Sequence, residues 1–302
     1  MTGANAPDRP RTAVITIARG RHRHLFGQQR GLRLGGRRPD VYVVVGMGDP
    51  VAAASGAAGP LAGTGCEVRG VDLVDGAGDG RLPLAAARNA GARAALAAGA
   101  DVLIFLDVDC VPGPGLVESY TAAVAGEDAP ALHCGVVQYL APEVDATAVH
   151  PADLRGRVPN GRPRPGPGRS VPSDDWHLFW SLSFAVSAAT WRLLGGFCEE
   201  YRGYGAEDTD LSYLAFRQGI NLRWIGGADA FHQYHPSPSP PTQHLPDIVR
   251  NAGVFHHRWG FWPMQGWLTA FADLGLARYD ADRDAWSLVA TGSGSGVAGG
   301  TG

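Results

Sequence analysis

The stretch Leu103-Ile104-Phe105-Leu106-Asp107-Val108-Asp109 decides how the rest of the chain is read. Four consecutive apolar residues predict a buried strand. Two carboxylates one residue apart end it, and Cys110-Val111-Pro112-Gly113 breaks it. Side chains at i and i+2 of a strand share a face, so Asp107 and Asp109 are expected on one side of a sheet rim. Unpaired carboxylates there are costly unless a cation joins them. The carboxyl ends of strands in an open α/β sheet are also where ligands bind. A strand end with two solvated aspartates is the plainer reading. A second acidic cluster, Glu207-Asp208-Thr209-Asp210, followed by Phe231-His232-Gln233-Tyr234-His235, favours the chemical one.

Upstream, strands are expected over 12–17, 41–45 and 68–74, with helices over 24–34 and 83–99 and a glycine- and alanine-rich loop over 56–65. The second helix carries Arg88 and Asn89 in an early turn. Strands alternating with helices predict a mostly parallel, doubly wound sheet of the nucleotide-binding kind. Downstream, helices are expected over 115–125, 188–194, 208–217 and 245–257, and strands over 131–140, 176–187, 221–225 and 228–235. Residues 150–175 lose all periodicity; Arg155, Arg157, Arg162, Arg164 and Arg169 lie there among prolines and glycines, as in a mobile loop. A solvated insertion and a cationic lid over an anionic substrate are the two readings of that loop. Trp259, Phe261, Trp262, Trp267, Leu268 and Phe271 surround a final helix. Packing on the body is preferred for them; peripheral membrane contact is the alternative. Residues 1–11 read as a disordered leader and 291–302 as a flexible tail.

With 302 residues, 45% of them hydrophobic, the chain can bury a sizeable core. A net charge of −3 argues against a nucleic-acid surface. There is no lysine, which excludes a lysine Schiff base and the Walker phosphate loop. Cys66, Cys110, Cys134 and Cys198 are widely spaced and read as reduced thiols of a cytoplasmic protein, not a zinc site or a disulfide framework. No apolar run approaches the roughly 20 residues of a membrane span.

Three blocks together resemble nucleotide-sugar-dependent glycosyltransferases of the GT-A fold, specifically bacterial family 2 members with a β-1,4-galactosyltransferase-like C-terminal region. Arg19-Gly20-Arg21-His22-Arg23-His24-Leu25 resembles the galactosyltransferase Arg-x-Arg-x-x-His-Leu. Phe105 to Pro112 resembles their metal motif. Gly195-Gly196-Phe197 with Gly203-Tyr204-Gly205-Ala206-Glu207-Asp208-Thr209-Asp210-Leu211 resembles their Gly-Phe and Trp-Gly-Gly-Glu-Asp-Asp-Asp block. The similarity spans roughly residues 12–275. Tyr204 stands where that family has tryptophan and Ala206 where it has glycine, both near the acceptor. The resemblance implies one GT-A domain over 12–290, with a nucleotide-sugar half (12–125) and an acceptor-binding and catalytic half (126–290).

A nucleotide diphosphate leaving group concentrates negative charge, and its departure is eased by a divalent cation and fixed cationic donors. Asp109 is the first expected metal ligand. A histidine completes the site in related enzymes, and His232 is preferred over His235. Carboxylate oxygen suits Mg²⁺ or Mn²⁺, and an added imidazole tilts the choice to Mn²⁺. The expected donor-binding set is Thr16, Arg19, Arg21, Arg88, Asp107 and Val108. By resemblance Asp208 is the base that takes the acceptor's proton, Glu207 holds the acceptor sugar, and Tyr204 and Gly205 line its site. Simple N-capping is the plainer reading of the cluster. The expected activity is inverting transfer of a hexose from a nucleotide sugar, UDP favoured, to a hydroxyl of a glycan or small-molecule acceptor. Two alternatives are a haloacid dehalogenase-type phosphatase with Asp107 as nucleophile and Asp109 as acid/base, and a non-catalytic sugar- or nucleotide-binding module.

Overall fold

The computed structural model describes residues 9–74, 78–236 and 238–289. The tail expected over 291–302, and the leader as far as residue 8, lie outside these. Strands β1 (Thr12–Ala18), β2 (Val41–Met47), β3 (Glu67–Leu73) and β4 (Val102–Leu106) pair in parallel in the order β3-β2-β1-β4. β1, β2 and β4 are buried along their whole length, which is why they read as unbroken apolar runs. Alternate residues still serve different layers. Ile15, Val43, Leu103 and Phe105 join one core with Ala87 and Ala95 of helix α3 (Leu84–Ala97). Val14, Tyr42, Val44 and Ile104 join another with Leu25 and Leu32 of helix α1 (His22–Leu34) and with Leu116 and Tyr120 of helix α4 (Leu116–Ala125).

Part of the expected 56–65 loop is helical instead. Helix α2 (Pro50–Ala58) is capped by Asp49, whose side chain accepts from the Ala52 N–H, with Pro50 at its start. Gly56 hides this helix in the sequence; a Cβ there would meet Val68 at 2.8 Å, so close packing on the sheet requires glycine.

Beyond β4 the sheet continues through β8 (Ser183–Ser187), β6 (Ala131–Tyr139), β9 (Asn221–His232) and β5 (Cys110–Pro112), and β7 (Ser170–Ser173) also pairs with β9. The pairings set β1, β2, β3, β4, β6 and β9 in one direction and β5, β7 and β8 in the other. Four expectations change here. The residues read as strand breakers, Cys110–Pro112, form β5. The two strands expected over 221–225 and 228–235 are one, with a register shift between Gly135 and Val137 on its neighbour. The strand expected from 176 is a short 3₁₀ turn at Trp176–Leu178 followed by β8. The 150–175 segment is tied to the sheet, by Tyr139 pairing with Arg157 and by β7. Pairing with β9 supplies what periodicity could not signal.

Helices α5 (Ala188–Leu194) and α6 (Glu207–Arg217) follow β8. Tertiary contacts divide the described residues into two compact units. One holds those up to Gly203 together with Glu207–Pro236. The other holds Tyr204–Ala206 and those from 238 onward. The second unit has its own core of Ile248 and Ala252 from α7 (Leu245–Trp259), Leu268 and Phe271 from α8 (Gln265–Asp273) and Ala277 from a hairpin, β10 (Ala277–Asp280) and β11 (Ala285–Leu288). Trp262 and Trp267 pack against that core. Among the described residues no helix is long and apolar enough to cross a membrane.

Candidate active site

Asp107 leaves β4 on the face of Leu103 and Phe105, the face that α3 covers. There the Arg88 guanidinium donates from Nη2 to Asp107 Oδ1 at 3.0 Å and from Nη1 to Glu207 Oε1 at 3.1 Å. Arg88 and Glu207 are buried, so their charge-assisted bond is shielded from water, while Asp107 keeps part of its carboxylate exposed. The chain then turns, the Cys110 N–H donating to the Asp107 carbonyl at 2.8 Å. That turn brings Asp109 to the histidines of β9 and the segment after it. Its Oδ2 lies 3.6 Å from His232 Nε2 and 3.4 Å from His235 Nε2. The two aspartates, both beyond the last residue of β4, therefore meet different partners.

Asp109, His232 and His235 place one ligand atom each within 4.8 Å of one another. One carboxylate oxygen and two imidazole nitrogens suit a borderline divalent ion such as Mn²⁺. Both histidines, not one of them, reach the group. Burial pushes the Asp109 pKa up, but His235, His232 and Arg21 outweigh it and hold the carboxyl below its usual range. For Asp107 burial wins over Arg88 and the pKa is raised.

The turn is held from α1 by Gln28, a fully buried residue on the apolar face between Leu25 and Leu32. Its Nε2 lies 2.7 Å from the Asp107 carbonyl, 3.2 Å from that of Cys110 and 3.3 Å from that of Leu106. Tyr42 donates to its Oε1 at 2.7 Å, fixing the amide. Gln233, between the histidines, donates from its backbone to the Asp109 carbonyl at 2.7 Å and from Nε2 to the His24 carbonyl at 3.2 Å. Tyr139 stacks on His232 with ring centroids 4.7 Å apart. Sequence reading missed Gln28 and Tyr139. The available signal for Gln28 was a lone polar residue at helical spacing within an apolar stripe.

Glu207 and Asp208 open α6 and serve different partners. Glu207 is buried, with Oε1 on Arg88 and Oε2 without a hydrogen-bond partner among the described residues. Burial, then repulsion from Asp208, overcomes Arg88 and lifts its pKa to about 7. Asp208 Oδ1 accepts from the Thr209 N–H at 2.7 Å and from its hydroxyl at 3.3 Å. Burial nevertheless raises the Asp208 pKa. Asp210 is buried and accepts from the Tyr201 hydroxyl at 3.1 Å. Helix capping thus accounts for part of Asp208 and for none of the Glu207–Arg88 contact.

Asn89, beside Arg88, accepts the Phe197 N–H at 2.9 Å and donates to its carbonyl at 2.9 Å. It pins the Gly195-Gly196-Phe197 turn. Gly196 has φ +90°, and a Cβ there would lie 2.6 Å from Asn89 Oδ1, so glycine is required twice over.

The other expected donor residues are scattered around this centre. Thr16 is buried in β1 with its hydroxyl unpartnered among the described residues. Arg19 is exposed and Arg21 half-exposed in the turn after β1, where Asp49 accepts the Gly20 N–H at 2.8 Å and pairs with His22 at 3.0 Å. Val108 is buried within the Asp107–Cys110 turn. Tyr204 and Gly205 belong to the second unit. There Tyr204 stacks on His244 with centroids 4.5 Å apart, and Asn251 donates to the Gly205 carbonyl at 2.9 Å.

No family model matches the chain. It is 33% identical over 175 residues to the validoxylamine A glucosyltransferase of Streptomyces hygroscopicus subsp. jinggangensis (strain 5008), covering 50% of this chain and 40% of that protein. It is 27% identical over 191 residues to the hyaluronan synthase of Pasteurella multocida, covering 54% of this chain and 19% of that one. The chain thus spans less than half the length of either relative. Among solved structures, GalNAc-T7 with UDP, GalNAc and Mn²⁺ superposes with a TM-score of 0.51 at 15% identity, covering 82% of this chain and 48% of that one. S. aureus TarS 1–349 superposes with a TM-score of 0.52 at 12% identity, covering 88% and 79%. The fold is that of GT-A glycosyltransferases, and the related sequences are named glycosyltransferases.

Proposed function

We propose that the chain is a metal-dependent, inverting glycosyltransferase that moves a hexose from a nucleotide-diphosphate sugar, UDP favoured, to an acceptor hydroxyl. The observation that carries this reading is one arrangement at a sheet rim. An Asp–His–His group stands beside an Arg88 bridge that ties the end of β4 to the acidic start of α6. The glycosyltransferase relatives and the solved neighbour containing UDP, GalNAc and Mn²⁺ support it.

Asp109, His232 and His235 would hold the cation. When bound, the ion supplies Lewis-acid stabilisation to the departing diphosphate. Arg19 and Arg21, still accessible, are assigned to the nucleotide phosphates, and Thr16 and Val108 to the nucleoside side. Arg88 is committed to two carboxylates, so its role is to position Asp107 and Glu207. Asp208 accepts the acceptor hydroxyl's proton as that oxygen attacks the anomeric carbon opposite the leaving group, which inverts the configuration. Its raised pKa makes it a stronger proton acceptor than an ordinary aspartate. Glu207, Tyr204 and Gly205 are assigned to the acceptor. The C-terminal galactosyltransferase likeness rests on the 203–211 block. The phosphatase alternative requires Asp107 as a nucleophile, and Asp107 is held in an ion pair with buried Arg88.

UDP-sugar hydrolysis and transfer, measured with and without Mn²⁺, test the reading. Activity should vanish in EDTA, return with Mn²⁺, and be absent in Asp109→Ala at unchanged thermal stability. Full transfer by the EDTA-treated protein would exclude metal dependence.

A further inference from the structure

We propose that Arg162 is the recognition residue for an anionic group, a carboxylate or a phosphate, carried by the acceptor. The inference rests on the reading above insofar as Asp208 marks the acceptor side. Arg162 lies in the proline- and glycine-rich stretch between Arg157 and β7. That stretch is held on β9: the Gly226 N–H donates to the Arg169 carbonyl at 2.9 Å, and a Cβ on Gly226 would lie 2.0 Å from the Gly166 carbonyl oxygen. The Arg162 guanidinium carbon sits 3.4 Å from the Trp180 ring centroid and 5.7 Å from that of Trp224. Two aromatic faces thus fix a cation that the backbone also holds in place.

One nitrogen of this half-buried cation lacks an acceptor among the described residues. Arg162 Nη2 is buried and makes no hydrogen bond among the described residues, and the same is true of Nε1 of Trp224, which is 2% exposed. Both groups can only donate. Burying such donors, and above all a charge, is unfavourable unless an acceptor meets them. A neutral hydroxyl would satisfy the hydrogen bonds and leave the charge uncompensated; an anionic oxygen satisfies both. Burial lowers the guanidinium pKa, yet an arginine stays protonated, so the site keeps its sign. Asp208 and Tyr139 both act on the Arg162 charge, so the cation shares a neighbourhood with the proposed base and with the ring that stacks on His232.

The test is binding of methyl glucuronate glycoside, methyl glucoside 6-phosphate and methyl glucoside to the full chain with Mn²⁺ and UDP present, read by ligand-observed NMR titration. The wild type should bind one of the two anionic glycosides about tenfold to hundredfold more tightly than the neutral one, the scale of a charge-assisted hydrogen bond. Which of the two is preferred tells carboxylate from phosphate. Arg162→Gln, at unchanged melting temperature, should erase the preference and Arg162→Lys should retain part of it. Equal affinity of the wild type for all three glycosides would overturn the proposal without any variant, and so would a preference that survives in Arg162→Gln. The readout needs no turnover. A wild type that prefers an anionic glycoside but hydrolyses no UDP-sugar with Mn²⁺ would support the anion site and remove the glycosyltransferase reading. An active enzyme without the preference would do the reverse.

Discussion

Asp208 and Glu207 are adjacent in the chain and about 100° apart around the helix, and their partners diverge accordingly. Losing a general base costs about 10²–10⁴-fold in rate, so Asp208→Asn should lower kcat by that order and leave donor affinity nearly unchanged. Glu207→Gln should mainly raise the acceptor KM. Near-normal turnover in Asp208→Asn would remove it from the base role. Glu207 also predicts a pH effect. Its folded-state pKa is raised above the usual carboxylate range, to about 7, so the folded chain holds that proton longer than the unfolded chain. The resulting stability is present below the ordinary carboxylate range and is lost as pH rises toward and through about 7. Chemical unfolding from pH 5 to 8 should show the wild type losing stability relative to Glu207→Gln as pH rises. Gln28 is the third residue to test. Replacing it with leucine leaves three carbonyls of the turn that carries the proposed metal ligand Asp109 without their donor, at a cost of about 1–3 kcal/mol. Removing a group that orients a ligand typically weakens metal binding about 10–100-fold. A Mn²⁺ titration of Gln28→Leu that matches wild type would show that the turn holds itself.

At the scale of elements, the site depends on how closely α1 lies on β5. Gly31 faces that strand, and a Cβ there would come within 2.8 Å of Pro112 Cδ and 2.9 Å of Val111 Cγ1. Alanine would gain about 1 kcal/mol of helix propensity, but overpacking costs about 1–3 kcal/mol and neither neighbour can swing away as a long flexible chain would. Gly31→Ala should therefore be destabilising on balance and should weaken Mn²⁺ binding by displacing β5, which begins one residue after Asp109. Denaturant midpoints and the same titration measure both effects, and a stabilised variant with wild-type Mn²⁺ affinity would contradict the argument. β5 is also the element that apolar periodicity hides. Three residues containing a proline make a strand only because His232, Phe231 and Ala230 of β9 lie opposite to receive them.

For the molecule as a whole, two units with separate hydrophobic cores make a single unfolding transition an unsafe assumption. Mn²⁺ with UDP at about 100 times the dissociation constant should add about 2.7 kcal/mol to whatever unfolds with the site. Since Asp109, His232 and His235 lie in the first unit, calorimetry should show that unit's transition moving and Asp109→Ala should abolish the metal's share of the shift. A metal-induced shift of the same size in Asp109→Ala would place the ion elsewhere.

The sequence by itself determined the parallel half of the sheet, because a strand buried on both faces is written locally as an unbroken apolar run, as in β1, β2 and β4. It also determined which residue types gather at the site: Asp107 and Asp109 at a strand end, Glu207 and Asp208 on a helix start, and histidines after them. What it left open is whom each side chain meets. Asp107 and Asp109 were one pair by strand periodicity, and a turn of a few residues sent one to Arg88 and the other to His232 and His235. Arg88 was one arginine among many until packing set it against a carboxylate 119 residues away. The 150–175 segment carried no periodicity, yet β9 took in β7 and two tryptophans took in Arg162. Periodicity and residue type are properties of a few adjacent residues, whereas pairing, burial and the pKa shifts that follow from them depend on which distant strands become neighbours. Only the tertiary structure decides that.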